Sequence, residues 1–547
     1  MHKVRPEPVE LTDMQPKLVP RLSLVVPTYN VAAYLDAFFE SVFAQTSQTQ
    51  RFEVIIVDDG STDGSGQIAM DWAEKYPEFI RCIQQENRGL SEARNTGLRA
   101  ARGKWISFPD PDDFLDPDYF RTILEQIEIP HEKPLLMIVA KLLPYDEATE
   151  TSVDNHPLNY RFARGLQYVD TSDMGGFIHL SAASCWFERA TLRRLKLRFN
   201  PRVQPVFEDG HLVTKLLMLS PDRTIAVVPK AIYNYRKRAD ASSLVMGAKS
   251  KKGFYLDTIE YGYLDLMLFA KAKLGHVPQF VQRVCLYELQ SRIKYLMGDA
   301  ARSAVLTAEE QDCFVMLLQR VFDDISVDTI QSFQIGRFQN HHRIAIIARF
   351  KPQEANSNLL YIEKYDPQTR SARFSYFSGV DQSEDVSLVS EGRELRLTGR
   401  SSNWTSLAGQ RFLGQHWFHV RLPKSGEVSC TRGDTPLTVR HIKRNMEGPL
   451  IAAALENFLA PVAATGLTEQ QTELRAQIQE APETYHGAWL LMDRPMQAGG
   501  DAAHLYQHLQ KTGRAENVWF VLSVFSPDWA RLMAAGFRLL PYGNKAH

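Results

Sequence analysis

The chain lacks most of the features that would place it outside the globular enzymes. Its five cysteines, Cys82, Cys185, Cys285, Cys313 and Cys430, show no metal-type spacing and leave an odd one out. That argues against a disulfide framework or a zinc cluster and reads as reduced thiols in a cytoplasmic protein. No apolar run approaches the span of a bilayer, and Met1-His2-Lys3-Val4-Arg5-Pro6 lacks a signal peptide's apolar core. Peripheral contact with the inner face of the cell membrane stays open, as does self-association. Net charge is −1 and the pI is ≈ 7.0, so no basic surplus points to a nucleic-acid partner. Internal repeats and low-complexity tracts are missing too. At 547 residues the chain is long enough for several domains, each with its own core.

What stands out instead is Ser107-Phe108-Pro109-Asp110-Pro111-Asp112-Asp113, three carboxylates packed into four positions directly after the apolar run Lys104–Phe108. Like charges this close repel unless something positive sits among them, and a divalent cation is the usual answer. A solvated turn would also account for an isolated cluster. A calcium loop of the EF-hand type is disfavoured, since Leu115 falls where that loop needs glycine.

The preceding residues alternate in a regular way. Leu22-Ser23-Leu24-Val25-Val26 reads as a strand ending in Pro27-Thr28-Tyr29-Asn30. Asn30 is positioned as N-cap of a helix carrying Leu35, Phe38, Phe39, Val42 and Phe43. Phe52–Val57 is near-continuously apolar, as a strand covered on both faces must be, and ends in Asp58-Asp59-Gly60-Ser61. A second helix carries Ile68, Ala69, Trp72, Ala73 and Tyr76, and a third runs from about Ser91 to Ala101. Strands alternating with helices imply a parallel sheet, and ligands bind at the carboxyl ends of such strands. All three polar motifs then fall on one edge, which favours a single nucleotide site.

Val25-Val26-Pro27-Thr28-Tyr29-Asn30, Val57-Asp58-Asp59-Gly60-Ser61-Thr62-Asp63, Asn87-Arg88-Gly89-Leu90-Ser91-Glu92-Ala93-Arg94-Asn95-Thr96-Gly97 and the Asp-x-Asp stand in the order that resembles the family 2 glycosyltransferases of GT-A fold. The resemblance covers roughly residues 20–245 and implies inverting transfer from a nucleotide-diphosphate sugar, usually a UDP-sugar. It implies that Asp59, or its neighbour Asp58, binds the base. Pro27 and Tyr29 would line the nucleoside pocket, and Arg94 would help hold the nucleotide and its phosphates. Asp110 would face ribose and metal, and Asp112 would bind the Mg²⁺ or Mn²⁺ that bridges the diphosphate, with Asp113 behind them. Pro109 and Pro111 make this cluster stiffer than the family's usual small residues.

Downstream, Val206-Phe207-Glu208-Asp209-Gly210-His211 precedes the helical stretch Leu212–Leu219 and resembles the family's Glu-Asp pair. That assigns Asp209 as the base for the acceptor hydroxyl, with Glu208 and His211 as alternatives; an acidic helix N-terminus is the plain reading. Tyr233-Asn234-Tyr235-Arg236-Lys237-Arg238 resembles a closing segment in which Arg236 or Arg238 grips the leaving diphosphate or an anionic acceptor.

The fold expected is α/β. A GT-A domain over 20–248 is followed by a helical extension over 249–338 and a small β-sandwich over 339–446, starting with a strand at Arg343–Ala348. A helical linker over 447–486 then leads to a partial Rossmann-like segment over 487–547. That last segment, with Trp489–Pro495, Val518–Ser523 and Leu539–Gly543, resembles the opening of the CDP-glycerol-using, GT-B teichoic-acid glycerophosphotransferases, as in bifunctional capsule or teichoic-acid polymerases. It implies either a truncated product or a docking unit, without glycerophosphotransferase activity. The acceptor expected is a cell-surface polysaccharide or teichoic-acid-like precursor. The competing readings are a polymer-docking scaffold with little catalytic power and a nucleotidyltransferase of similar fold. The latter lacks support, because Pro27-Thr28-Tyr29-Asn30 is no Gly-rich phosphate loop.

Overall fold

Strands that are apolar on both faces need cover on both sides. Four of them, Ile80–Gln84, Phe52–Asp58, Leu22–Thr28 and Trp105–Ser107, run parallel in that spatial order. The computed structural model describes residues 9–10, 20–45, 52–239, 247–336, 338–352, 358–380, 385–424, 426–441, 450–451, 489–493, 498, 501–523, 526 and 528–542. Alternate strand residues point to opposite layers. Leu24, Val26, Val54 and Ile56 meet the helices Ala32–Phe43 and Ser65–Lys75, and Val25, Ile55 and Val57 meet the helix Leu90–Ala100.

Beyond Trp105–Ser107 the sheet turns mixed. Cys185–Glu188 is antiparallel to it and to Leu135–Asp146, Thr224–Lys237 runs parallel to the latter, and Phe114–Leu115 pairs antiparallel with its far end. This unit is a mixed α/β sheet with helices on both faces. All five cysteines are free. No helix among the described residues is long and apolar enough to cross a membrane.

The helix Leu90–Ala100 lies against its strand at a distance only glycine permits. A Cβ on Gly97 would stand 2.1 Å from Val25 Cγ1 and 2.9 Å from Cγ2. Gly97→Ala is therefore expected to destabilise this unit by about 2–3 kcal/mol through overpacking, read as a lowered denaturant midpoint.

Two local expectations are corrected. Asn30 is not the cap of the first helix: Val31 occupies that position, and the Ala32 amide donates to Asp63 Oδ2 at 3.0 Å from the neighbouring loop. The segment Arg343–Ala348 is not a strand but the body of the helix Asn340–Phe350. Its buried His342, Ala345, Ile346 and Phe350 lie at i, i+3, i+4 and i+8, a helical face, and Phe350 stacks on Phe322 at 4.7 Å.

That helix joins Gln279–Leu296 and Ala308–Phe322 in one core, which the tip of a β-hairpin enters. The hairpin strands are Leu397–Leu407 and Gln410–Arg421, and Leu407, Ala408, Phe412 and Leu413 are buried among the helices. The Gly298 amide donates to the Ser406 carbonyl at 2.9 Å, and Gln410 Nε2 to Asp312 at 2.8 Å. The hairpin continues into a five-stranded sheet with Ser371–Ser378, Leu359–Asp366 and Thr438–His441, beside a second sheet built on Val386–Ser390 and Glu427–Arg432.

Residues 1–451 and 452–547 are two compact units. In the second, parallel strands Trp489–Leu491, Val518–Leu522 and Leu539–Pro541 alternate with helices Asp501–Lys511 and Trp529–Ala534. Tyr506, Phe520, Leu532 and Phe537 form its core. The helical linker expected at 447–486 lies outside the described residues, except that Leu450–Ile451 is extended beside Glu427–Val428.

Candidate active site

Each polar motif follows the carboxyl end of a parallel strand, so the topology alone gathers them on one edge. The loops after the first two strands are laced together. Asn30 Oδ1 accepts from the Thr62 amide at 2.8 Å, and Ser65 Oγ from the Val31 amide at 2.9 Å. Pro27 is buried within its strand, and Tyr29 projects beyond it, 48% exposed.

The two adjacent acids differ in task. Asp58 is buried and shapes its own turn, accepting from the Ser61 amide at 3.0 Å and from Gln84 Nε2 at 3.3 Å. Asp59 accepts from Gln85 Nε2 at 2.6 Å and from the amides of Arg88 and Gly89 at 2.9 and 2.8 Å. It thereby fixes the entry to the helix Leu90–Ala100. Burial raises its pKa in spite of these donors, and Asp58 adds to the rise.

That helix delivers Arg94 to the centre of the site. The side chain is only 2% exposed, and its guanidinium joins acids far apart in sequence. Nη2 donates to Asp110 Oδ1 at 2.8 Å, and Nη1 donates to Glu208 Oε1 at 2.8 Å and Asp209 Oδ1 at 2.7 Å. Burial works against this charge, but the three carboxylates outweigh it and raise the pKa. The resemblance has Arg94 help hold the nucleotide and its phosphates; its hydrogen bonds in this structure join the three carboxylates.

Asp209 arrives from the opposite side. The helix begins at Glu208, earlier than the sequence suggests, after Phe207 in a left-handed conformation (φ 84°). This conformation is strained for a residue with a side chain and persists where packing enforces it. The Phe207 ring fits against Gly210, whose Cβ would come within 2.5 Å of it, and meets Tyr263 edge-on at 4.7 Å. Asp209 Oδ2 accepts from the Ala182 amide at 2.8 Å, and its side chain stays 17% exposed. Burial, opposed by Arg94 and aided by Glu208, pushes its pKa up to about 6. His211, weighed as an alternative base, faces elsewhere: Nε2 bonds Asp265 at 2.7 Å, and burial lowers its pKa.

The short strand Phe114–Leu115 pairs with the end of Thr224–Lys237 and folds the acid cluster against the basic segment. Asp113 is buried, accepting from the Tyr233 hydroxyl at 2.7 Å and the Arg236 amide at 2.8 Å. The Asp110 amide donates to the same hydroxyl at 3.0 Å. Arg236 Nε donates to the Asp112 carbonyl at 2.7 Å and its Nη1 to Glu147 Oε1 at 3.1 Å, while Arg238 Nε donates to Asp112 Oδ2 at 2.9 Å. Tyr233 and Asn95 stand in the sequence motifs without an assigned role, and Glu147 is named by none of them. Asn95 trades two 2.9 Å hydrogen bonds with the backbone of Phe199 and so ties the helix of Arg94 to the loop leading to Asp209. Removing the hydroxyl in Tyr233→Phe strands a buried carboxylate oxygen and an amide. The expected cost is about 1–3 kcal/mol of stability, measured by denaturation, together with reduced turnover.

Asp110 and Asp112 fit a hard divalent cation. Their donors are carboxylate oxygens, their side chains remain 32% and 16% exposed, and Mg²⁺ commonly takes one or two carboxylates plus substrate phosphates. No group of three or more candidate ligands occurs among the described residues, so a cation here would depend on phosphate oxygens to complete its shell.

Residues 23–175 match the family model for glycosyl transferase family 2. The minor teichoic acid biosynthesis protein GgaB of Bacillus subtilis (strain 168) is 27% identical over 425 residues, covering 77% of this chain and 44% of that protein. The minor teichoic acid biosynthesis protein GgaA of the same organism is 29% identical over 297 residues, covering 54% of this chain and 64% of its own length. The chain thus spans less than two thirds of either relative. Among solved structures, S. aureus TarS 1-349 aligns with 60% of this chain and 86% of its own at 19% identity, with a TM-score of 0.46.

Proposed function

From the premise that residues 23–175 form a family 2 glycosyltransferase domain in a transferase, we propose an inverting transfer of sugar from a nucleotide-diphosphate donor, a UDP-sugar. The acceptor is a hydroxyl of a cell-surface polysaccharide or teichoic-acid-like precursor. One observation carries the reading: the Arg94 guanidinium links Asp110 of the Asp-x-Asp to the Glu208-Asp209 pair, uniting a donor-side acid and a candidate base in one cleft.

Asp209 takes the proton of the acceptor hydroxyl while that oxygen bonds the anomeric carbon and the bond to the diphosphate breaks. Asp59 and Tyr29 bound the nucleoside end, with Asp58 and Pro27 shaping the turns beneath them. Arg236 or Arg238, both bonded to Asp112, grips the leaving diphosphate or an anionic acceptor. Asp110 and Asp112 would hold a Mg²⁺ or Mn²⁺ ion, whose charge would neutralise the one that builds on that leaving group. The names of GgaB and GgaA support the acceptor class.

The test is a donor screen with divalent metal, following nucleoside diphosphate release with and without a glycerol-phosphate or sugar-phosphate oligomer. Release from one UDP-sugar is expected, raised by the oligomer and abolished by EDTA and by Asp112→Ala. Silence with every donor would overturn the reading.

A further inference from the structure

The outer face of the five-stranded sheet takes no part in the site above. Along Gln410–Arg421, Phe412, His416, Phe418 and Val420 are buried, while Trp417 is half-buried and His419 and Arg421 are exposed. Register sets Thr398 and Ser401 beside His419 and Trp417 on one side, and Ser371, Arg373 and Ser375 beside Arg421, His419 and Trp417 on the other. Glu363 fixes the centre of this face. It accepts from the indole Nε1 of Trp417 at 3.2 Å and pairs with Arg373 Nε at 3.2 Å.

Along this face lies a cleft of about 570 Å³, lined chiefly by Gln368, Thr369, Ser371, Arg396, Thr398 and Arg421, with no carboxylate in its lining. The acid of the adjoining turn, Asp366, accepts from the Gln368 amide at 2.9 Å and from Thr369 Oγ1 at 2.6 Å. Arg373 is neutralised by Glu363, whereas Arg396 and Arg421 are exposed and have no acidic partner among the described residues. Two guanidiniums lining one cleft with no carboxylate give it a positive potential that favours an anion. Their planar donor fork matches phosphate, and the surrounding hydroxyls and amide match a polyhydroxyl chain.

The geometry points to a second binding site for the acceptor, in which Arg396 and Arg421 hold a phosphodiester of a polyol-phosphate or sugar-phosphate polymer and Trp417 packs against the neighbouring unit. This site rests on the acceptor class proposed above and deepens it, because a polymer held away from the catalytic cleft stays with the enzyme between transfers. One indole is too little aromatic surface for a run of stacked bases, and the chain's net charge is −1, so single-stranded nucleic acid is the poorer match.

The experiment titrates the full chain with a fluorescently labelled glycerol-phosphate oligomer. Arg396→Gln/Arg421→Gln is expected to weaken binding about ten-fold or more, each single variant less, and added salt to weaken the wild type. Nucleoside diphosphate release from the donor alone is expected to be unchanged in all of them. Equal binding by wild type and double variant overturns the site. So does equal competition by an oligonucleotide of matching charge, which would mark a general polyanion surface. Arginine-dependent binding by a wild type that turns over no donor would overturn the transferase reading and leave the docking site standing. Donor turnover with no oligomer binding would do the reverse.

Discussion

Asp209→Asn is expected to cut sugar transfer about 10²–10⁴-fold, the usual worth of a positioned base, while leaving the chain folded. Asparagine keeps the shape of the side chain and can still accept from the Ala182 amide, but it cannot take a proton. Wild-type activity is expected to carry its own signature. The carboxylate is pushed up to about 6, chiefly by burial and partly offset by Arg94. A base works deprotonated, so the rate should climb with pH through about 6 and level off above it. The asparagine variant should lose that limb. Steady-state rates across pH 5 to about 8 decide the matter; a variant that keeps both the rate and the acid limb would move the base to Glu208.

Arg94→Met is expected to be the most damaging change to stability, at about 3–5 kcal/mol, because it strands charges that its guanidinium neutralises. Asp110, Glu208 and Asp209 would be left close together in a poorly solvated cleft with their shared cation gone. Losing a positive neighbour raises carboxylate pKa values, so any remaining transfer should shift its acid limb to higher pH. Arg94→Lys keeps the charge but loses the planar fork that reaches three acids, and should recover only part of the stability. Denaturant titration of the three proteins, paired with their pH profiles, tests both effects. A methionine variant as stable as wild type would remove Arg94 from the centre of the site.

The strand ends of the first hundred residues were legible because their signals are local. Apolar runs closed by Pro27-Thr28-Tyr29-Asn30, Asp58-Asp59-Gly60 and the Asp110 cluster name both the strand and the edge where it stops. What the sequence hid depends on contacts between distant residues. Tyr233 matters because its hydroxyl meets Asp113, and Asn95 because it meets Phe199, and no neighbour in sequence announces either. His211, the lesser alternative to Asp209, shows the opposite case. It adjoins the Glu-Asp pair in sequence, but with the helix starting at Glu208 it sits two residues past Asp209 and therefore on another face. The run Arg343–Ala348 fits either period; in the structure it is the body of the helix Asn340–Phe350, whose last residue, Phe350, stacks on Phe322.

The hairpin tip embedded among the helices has a mechanical consequence. Leu407 and Phe412 are plugged into the same core as Leu266, Met267 and Ala270 of the helix Asp265–Leu274. Asp265 in turn clasps His211 and Lys215 on the helix that carries Asp209. A displacement of the hairpin tip is therefore passed, through one shared core and the Asp265 contacts, to the helix that carries Asp209. The helices and the hairpin should accordingly open together, with a shared free energy in native-state hydrogen exchange.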